Sequence, residues 1–193
     1  MGEAIKKNPT YEDILKLPEN IRGEIIFNEL LTSPRPSPAH QKAMSKMTSR
    51  LDSGLGGNAG SSDGSDGVET WLFLTEPELH LDSHIIIPDI GAWKSKRVDP
   101  SFYSRSWVSL TPDWVCEIQS PSTARIDRVT KRRVYFELKV PYYWLLDPTA
   151  RTLEAMKYSA EGWLNVGSFG GSDSINVEPF AELQLRLEDF WAF

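Results

Sequence analysis

Asp113-Trp-Val-Cys-Glu-Ile-Gln119 is the stretch that decides the fold. It is rich in β-branched and aromatic residues and is bounded by Pro112 and by Ser120-Pro121, so it is expected to be one short strand. Side chains alternate along a strand. Trp114, Cys116 and Ile118 therefore share a face that should be core, and Val115, Glu117 and Gln119 share the other. A carboxylate in such an apolar run is costly to bury unless something pairs with it. The run His84-Ile-Ile-Ile-Pro-Asp-Ile90 offers a partner, because Ile85, Ile87 and Asp89 share a face and Asp89 comes at the end of the apolar stretch. If these strands pair, Asp89 and Glu117 converge at one sheet edge. Two hard-oxygen ligands placed this way suit Mg²⁺ or Mn²⁺. Such an ion polarises a phosphoryl oxygen and lowers the pKa of an attacking water, and a nearby lysine or glutamine orients that water and balances charge.

Working outward, strands and helices alternate irregularly. Tyr11 to Leu17 reads as a short helix capped by Thr10 and ended by Pro18, and Gly23 to Leu31 as a hairpin turning near Asn28. Pro34, Pro36 and Pro38 make a stiff extended connection. His40 to Leu51 follows as a helix with Met44, Met47 and Leu51 on one face. Residues 54–67 are a Gly/Ser/Asp tract too polar to bury a core, and are expected to be a mobile loop within the domain. Trp71 to Leu74, Glu78 to Leu81 and His84 to Ile90 are strand-like, with Asp82-Ser83 as a tight turn. Lys94 to Thr111 reads as irregular. A helix spans Ser122 to about Lys139, then a strand Tyr142 to Leu146, a closing hairpin (Thr152 to Tyr158 and Trp163 to Phe169) and a short element from Leu183. The order gives a mixed sheet flanked by helices, an α/β or α+β sandwich. The length fits one domain over residues 1–193.

The single cysteine, Cys116, excludes an internal disulfide, and the N-terminal residues do not form the apolar run of a signal peptide. No apolar stretch approaches the ~20 residues of a membrane span. A cytoplasmic protein with no membrane partner is expected. The net charge of −6 disfavours general attraction to a polyanion, yet Lys94 to Arg133 holds nine Lys/Arg against four Asp/Glu. That local excess lies where the candidate chemistry lies.

Longer strings carry a family resemblance. They are Arg22-Gly-Glu-Ile-Ile-Phe-Asn-Glu-Leu30, Ser37-Pro-Ala-His40, Glu76-Pro-Glu-Leu-His-Leu81, Pro88-Asp-Ile-Gly-Ala-Trp93, Pro112 to Thr123, Asp127-Arg128 with Lys131, and Tyr142-Tyr-Trp-Leu-Leu-Asp-Pro148. Together they resemble the Uma-two family of restriction-endonuclease-like proteins over nearly the whole chain apart from the Gly/Ser loop. Pro88-Asp89 followed by Glu117-Ile-Gln119 is similar to the PD-(D/E)XK nuclease signature. The resemblance implies a restriction-endonuclease-like core with an added N-terminal hairpin, Asp89 and Glu117 as metal ligands, and hydrolysis of phosphodiester bonds with DNA as the favoured substrate. Where the nuclease pattern has lysine, this chain has Gln119. Lys131, on the following helix, is the candidate to replace that charge.

Each candidate has a plainer alternative. Lys131 follows Asp127 by four residues, the spacing of an ordinary helical ion pair, and Gln119 can satisfy backbone groups beside Ser120. Glu78, Glu24 and His40 are accessory candidates. Glu78 can approach Asp89 across the Asp82-Ser83 turn, but an exposed hairpin face explains it as well. Arg125, Arg128 and Arg132 can track a phosphate backbone or simply decorate a solvated helix. Two other functions compete with the metal-dependent endonuclease: a nuclease-fold protein that binds nucleic acid without cutting it, and a homodimeric interaction module.

Overall fold

The structure is a computed structural model that describes residues 4–58 and 69–191. The described strands form two large sheets and a two-stranded pair. The first is five-stranded and antiparallel, ordered β1-β3-β2-β6-β5, from β1 (Ala4–Lys7), β2 (Ile21–Ile26), β3 (Glu29–Pro34), β5 (Leu79–Leu81) and β6 (His84–Ile86). The second is six-stranded, ordered β11-β10-β9-β8-β7-β4, from β4 (Trp71–Thr75), β7 (Ile90–Lys94), β8 (Trp114–Ile118), β9 (Tyr142–Asp147), β10 (Thr152–Ser159) and β11 (Gly162–Gly170). Among the strands of the described residues only β8 and β9 run parallel, joined by the helical crossover that parallel strands require, so the second sheet is mixed.

Helices cover both faces of the second sheet. Helix α1 (Tyr11–Leu15) stands before β2 with a Thr10/Asp13 capping box. Helix α2 (Pro38–Leu55) lays Met44, Met47, Leu51 and Leu55 against Trp71, Phe73, Trp114, Cys116 and Trp144. Phe180, Leu187 and Phe190 close this layer from the C-terminal segment, where β12 (Ser174–Ile175) pairs with β13 (Leu185–Arg186). On the other face, α3 (Arg132–Glu137) packs Val134 and Tyr135 on Val115, Tyr143 and Leu145. Ile26 and Ile86 of the first sheet join that same cluster. The hairpin β2–β3 is therefore part of a sheet that shares the second core. The alternation read in Trp114–Ile118 holds, but both faces of β8 are buried.

Several boundaries move from the sequence reading, each for a physical reason. His84–Ile90 is two strands in two sheets. Between them the Ile87 amide donates to Glu24 Oε1 (2.7 Å), the Ile87 carbonyl accepts from Lys131 Nζ (3.0 Å), and Pro88 has no N–H, so residues 87–89 have little left to give a ladder. Pro38 does not extend the linker but opens α2 at its first turn, where a missing N–H costs nothing, with Ser37 as the cap. Gly54 and Leu55 finish α2, and the Gly57 amide donates to the Trp71 carbonyl (2.9 Å). Only residues 59–67 of the expected loop lie outside the described residues. Two 3₁₀ turns, Ser95–Arg97 and Pro100–Ser104, order part of the stretch read as irregular. The helix after β8 starts near residue 124 and passes through a π-helical turn, Ile126–Lys131, before α3. Among the described residues no helix is long and apolar enough to cross a membrane.

Candidate active site

Asp89 and Glu117 lie side by side because β7 and β8 pair with Ile90 opposite Cys116, one step further into the two strands. The Asp89 amide points at Glu117 Oε2 (3.4 Å). Both carboxylates are almost wholly buried, 2% and 1% exposed. Four further elements bring polar groups to them. Strand β2 contributes Arg22 and Glu24 on one face, and β3 places Ser33 opposite Arg22 in register. The first turn of α2 contributes His40, and the π-helical turn contributes Asp127 and Lys131.

Each carboxylate is held by one oxygen. Asp89 Oδ2 accepts from the Ile118 amide (2.7 Å) and from His40 Nε2 (3.0 Å). Glu117 Oε1 accepts from the Tyr135 hydroxyl (2.6 Å) and from Lys131 Nζ (3.1 Å). The other oxygens are nearly unused. Asp89 Oδ1 has no hydrogen bond, with Arg22 Nη2 3.6 Å away, and Glu117 Oε2 has only the long contact to the Asp89 amide. Lys131 is the hub of the cluster. Its ammonium also reaches Glu24 Oε1 (3.1 Å), and so joins Glu117 and Glu24 to the backbone break at Ile87. The alternative pairing with Asp127 within the helix is not what the Lys131 side chain adopts. The π-helical turn sets the spacing here, and such turns recur at functional sites.

The cluster pulls protonation in opposite directions. Burial pushes the Glu117 carboxyl well above the usual range, and the charges of Asp89, Asp127 and Glu24 add to this against the opposing Lys131. Burial would also raise Asp89, but the His40 hydrogen bond and the charges of Lys131 and Arg22 outweigh it and hold Asp89 low. Burial together with its acidic neighbours raises Asp127 to about 7. Burial would lower Lys131, yet Glu117, Glu24 and Asp127 outweigh it and keep the ammonium charged. A base is therefore not available at Lys131, and a fixed positive charge is. The donor set suits a hard cation: two adjacent carboxylates, each with one oxygen left over, where added positive charge would hold both ionised. Magnesium is commonly bound by one or two carboxylates with water completing its shell.

The remaining sequence candidates are placed as follows. Gln119 is buried on Glu117's side of β8, but its Oε1 accepts from Arg128 Nη2 (2.9 Å), and it does not line the pocket around the pair. Glu24 and His40 are brought into that pocket. Glu78 is not, because its carboxylate pairs with His80 (2.7 Å), whose ring stacks on Trp107. Arg128 spans Gln119 and Glu154 (2.8 Å), while Arg125 is exposed and Arg132 half-buried on the helix face. Sequence reasoning passed over Arg22 and Tyr135 as site residues and gave Asp127 only a structural part. Nothing local marks Tyr135, since its partner lies 18 residues away. Arg22, two residues before Glu24 in a strand, did carry a signal: both were bound to share a face.

The Uma2 family model, described as "Putative restriction endonuclease", matches residues 10–188. Among solved structures, a crystal structure of a "putative nuclease belonging to DUF820" from Anabaena variabilis aligns with a TM-score of 0.70 at 21% identity, covering 93% of this chain and 96% of that one. No curated protein matches the chain. At that identity the likeness is one of fold, and the fold is restriction-endonuclease-like.

Proposed function

Because the chain belongs to the Uma2 family, we propose that it is a metal-dependent endonuclease that hydrolyses phosphodiester bonds in DNA. The observation that carries this reading is the pair Asp89 and Glu117, each fixed through one oxygen with its other oxygen left to a ligand, beside a buried lysine that stays charged. Asp89 and Glu117 would hold Mg²⁺ or Mn²⁺, which when bound supplies Lewis acidity to the phosphate and to a water. Lys131 keeps its charge at Nζ, 3.1 Å from Glu117, as an electrostatic partner for the negative charge that grows on the phosphorane oxygens. His40 and the Ile118 amide fix the orientation of Asp89, and Tyr135 fixes that of Glu117. Arg22, Ile126 and Asp127 line the pocket around the pair.

Nicking of supercoiled plasmid in Mn²⁺ tests the proposal. Wild type should nick, EDTA should abolish nicking, and Asp89→Ala and Lys131→Ala should each lose about 100-fold or more. Full activity in Lys131→Ala would remove that residue from catalysis. A second reading, binding without cleavage, is favoured by Gln119, which stands where the nuclease pattern has lysine and is tied to Arg128. Wild-type protein that binds DNA in Mn²⁺ and never cuts it would select that reading. Self-association, if it occurs, would favour β11, an uncharged nine-residue strand at a sheet edge, and sedimentation velocity would detect it.

A further inference from the structure

We propose that Arg22 is a resident counter-ion at the metal side of Asp89, which yields that carboxylate to the cation and turns to the substrate phosphate. This rests on the metal-dependent reading of the site. Arg22 is buried, and its guanidinium is only partly used. Nη1 bonds Glu76 Oε1 (2.7 Å), Nε has no partner, and Nη2 lies 3.6 Å from Asp89 Oδ1. A guanidinium facing a carboxylate normally forms two short parallel hydrogen bonds. Here it supplies charge without a bond. The two oxygens of Asp89 thus differ in kind: Oδ2 is fixed by two hydrogen bonds and Oδ1 is held only by a charge that can be exchanged.

The placement of Arg22 gives it somewhere to go. It lines the pocket around the carboxylates and also the outer hollow formed by Arg35, Ser37, Ser120, Ser122 and Thr123. A phosphate entering through that hollow, with its hydroxyls and second arginine, meets Arg22 before it meets Asp89. Glu76 tethers the guanidinium meanwhile, and the Glu76 amide donates to the Asp89 carbonyl (2.9 Å), so the tether stays beside the site. A divalent cation at Oδ1 and a guanidinium 3.6 Å from the same oxygen repel each other in a buried pocket. The forked donor array of arginine then matches a phosphate.

The test is Mn²⁺ binding, read from the electron paramagnetic resonance signal of free Mn²⁺, without substrate. Arg22→Gln should bind Mn²⁺ roughly threefold to tenfold more tightly than wild type. Arg22→Gln combined with Glu76→Gln leaves the net charge unchanged and leaves no carboxylate unpaired, so a gain there comes from freeing Asp89. The double variant also decides the matter if the single one does not fold. Equal or weaker Mn²⁺ binding in a folded variant overturns the proposal. In Ca²⁺, Arg22→Gln should bind a fluorescent DNA oligonucleotide about tenfold more weakly, and unchanged binding overturns the phosphate half of the proposal. No Mn²⁺ binding by wild type or either variant overturns the metal site itself. Wild-type binding that the variants leave unchanged overturns only the role of Arg22.

Discussion

Asp127 is the residue at which the protein's internal electrostatics become measurable as stability. It is buried in the π-helical turn, with Oδ2 unpartnered, and its carboxyl titrates near 7 instead of the ordinary 3.8. The unfolded chain gives up this proton near pH 4, while the folded chain keeps it until about pH 7. Folding is thus progressively penalised as pH rises through that window, and the penalty is complete above it. The separation corresponds to at most about 4 kcal/mol. Asp127→Asn removes the titration. Between pH 4 and pH 8 its stability, measured by urea unfolding, should fall less than that of wild type. An equal fall in both proteins would show that Asp127 is not the group responsible. At this scale the sequence was partly legible. The carboxylate pair could be read from alternation and apolar context, because both signals are local. Tyr135 and the true partners of Lys131 could not, because each contact joins side chains on different elements that are distant in the chain, and Arg22 could be read only through the face it shares with Glu24.

At the scale of elements, the sequence revealed most strands and helices but not where one strand ends and another sheet begins. His84 to Ile90 reads as continuous because its run of isoleucines favours extended backbone; Pro88 is the one local sign of the break, and the side chains of Glu24 and Lys131, bonding Ile87 from elsewhere, complete it. The π-helical turn is similarly hidden, since the extra residue it accommodates leaves no compositional trace. Strand β7 begins directly after Asp89 and is itself tightly seated. A Cβ added at Gly91 would lie 3.0 Å from Trp93 Cη2 and 3.2 Å from Pro77 Cγ. Neither ring moves easily: Trp93 is fully buried and its Nε1 donates to the Leu110 carbonyl (2.9 Å). Gly91→Ala should therefore cost about 1–3 kcal/mol by overpacking. A lowered denaturation midpoint with an unchanged m-value is the expected result, and an unchanged midpoint would mean that the sheet absorbs the methyl.

For the whole molecule, the question is how an acidic chain would hold a polyanion. The excess of basic residues between Lys94 and Arg133 suggests a basic patch, but most of it is neutralised internally. Lys94 and Lys96 pair with Glu69, Arg97 with Asp113, Arg128 with Glu154, Lys131 with Glu117 and Glu24, and Arg133 with Glu137. Within that stretch Arg105, Arg125 and Arg132 have no carboxylate partner among the described residues, and Arg105 lies over the Trp107 ring. Arg35, at the rim of the outer hollow, adds one more cation. The sequence count overstated the patch because it could not show which charges find partners. Binding should then depend on a few phosphate contacts close to the site and not on a broad electrostatic surface. Each neutralised phosphate contributes about −0.9 to the slope of log K against log salt, so about four contacts give a slope of roughly −3 to −4. Anisotropy of a labelled DNA duplex across a KCl series, with Ca²⁺ held constant, measures this directly. A slope steeper than roughly −7 would require twice as many contacts as the unpaired arginines can supply, and would mean that the surface ion pairs open when DNA binds.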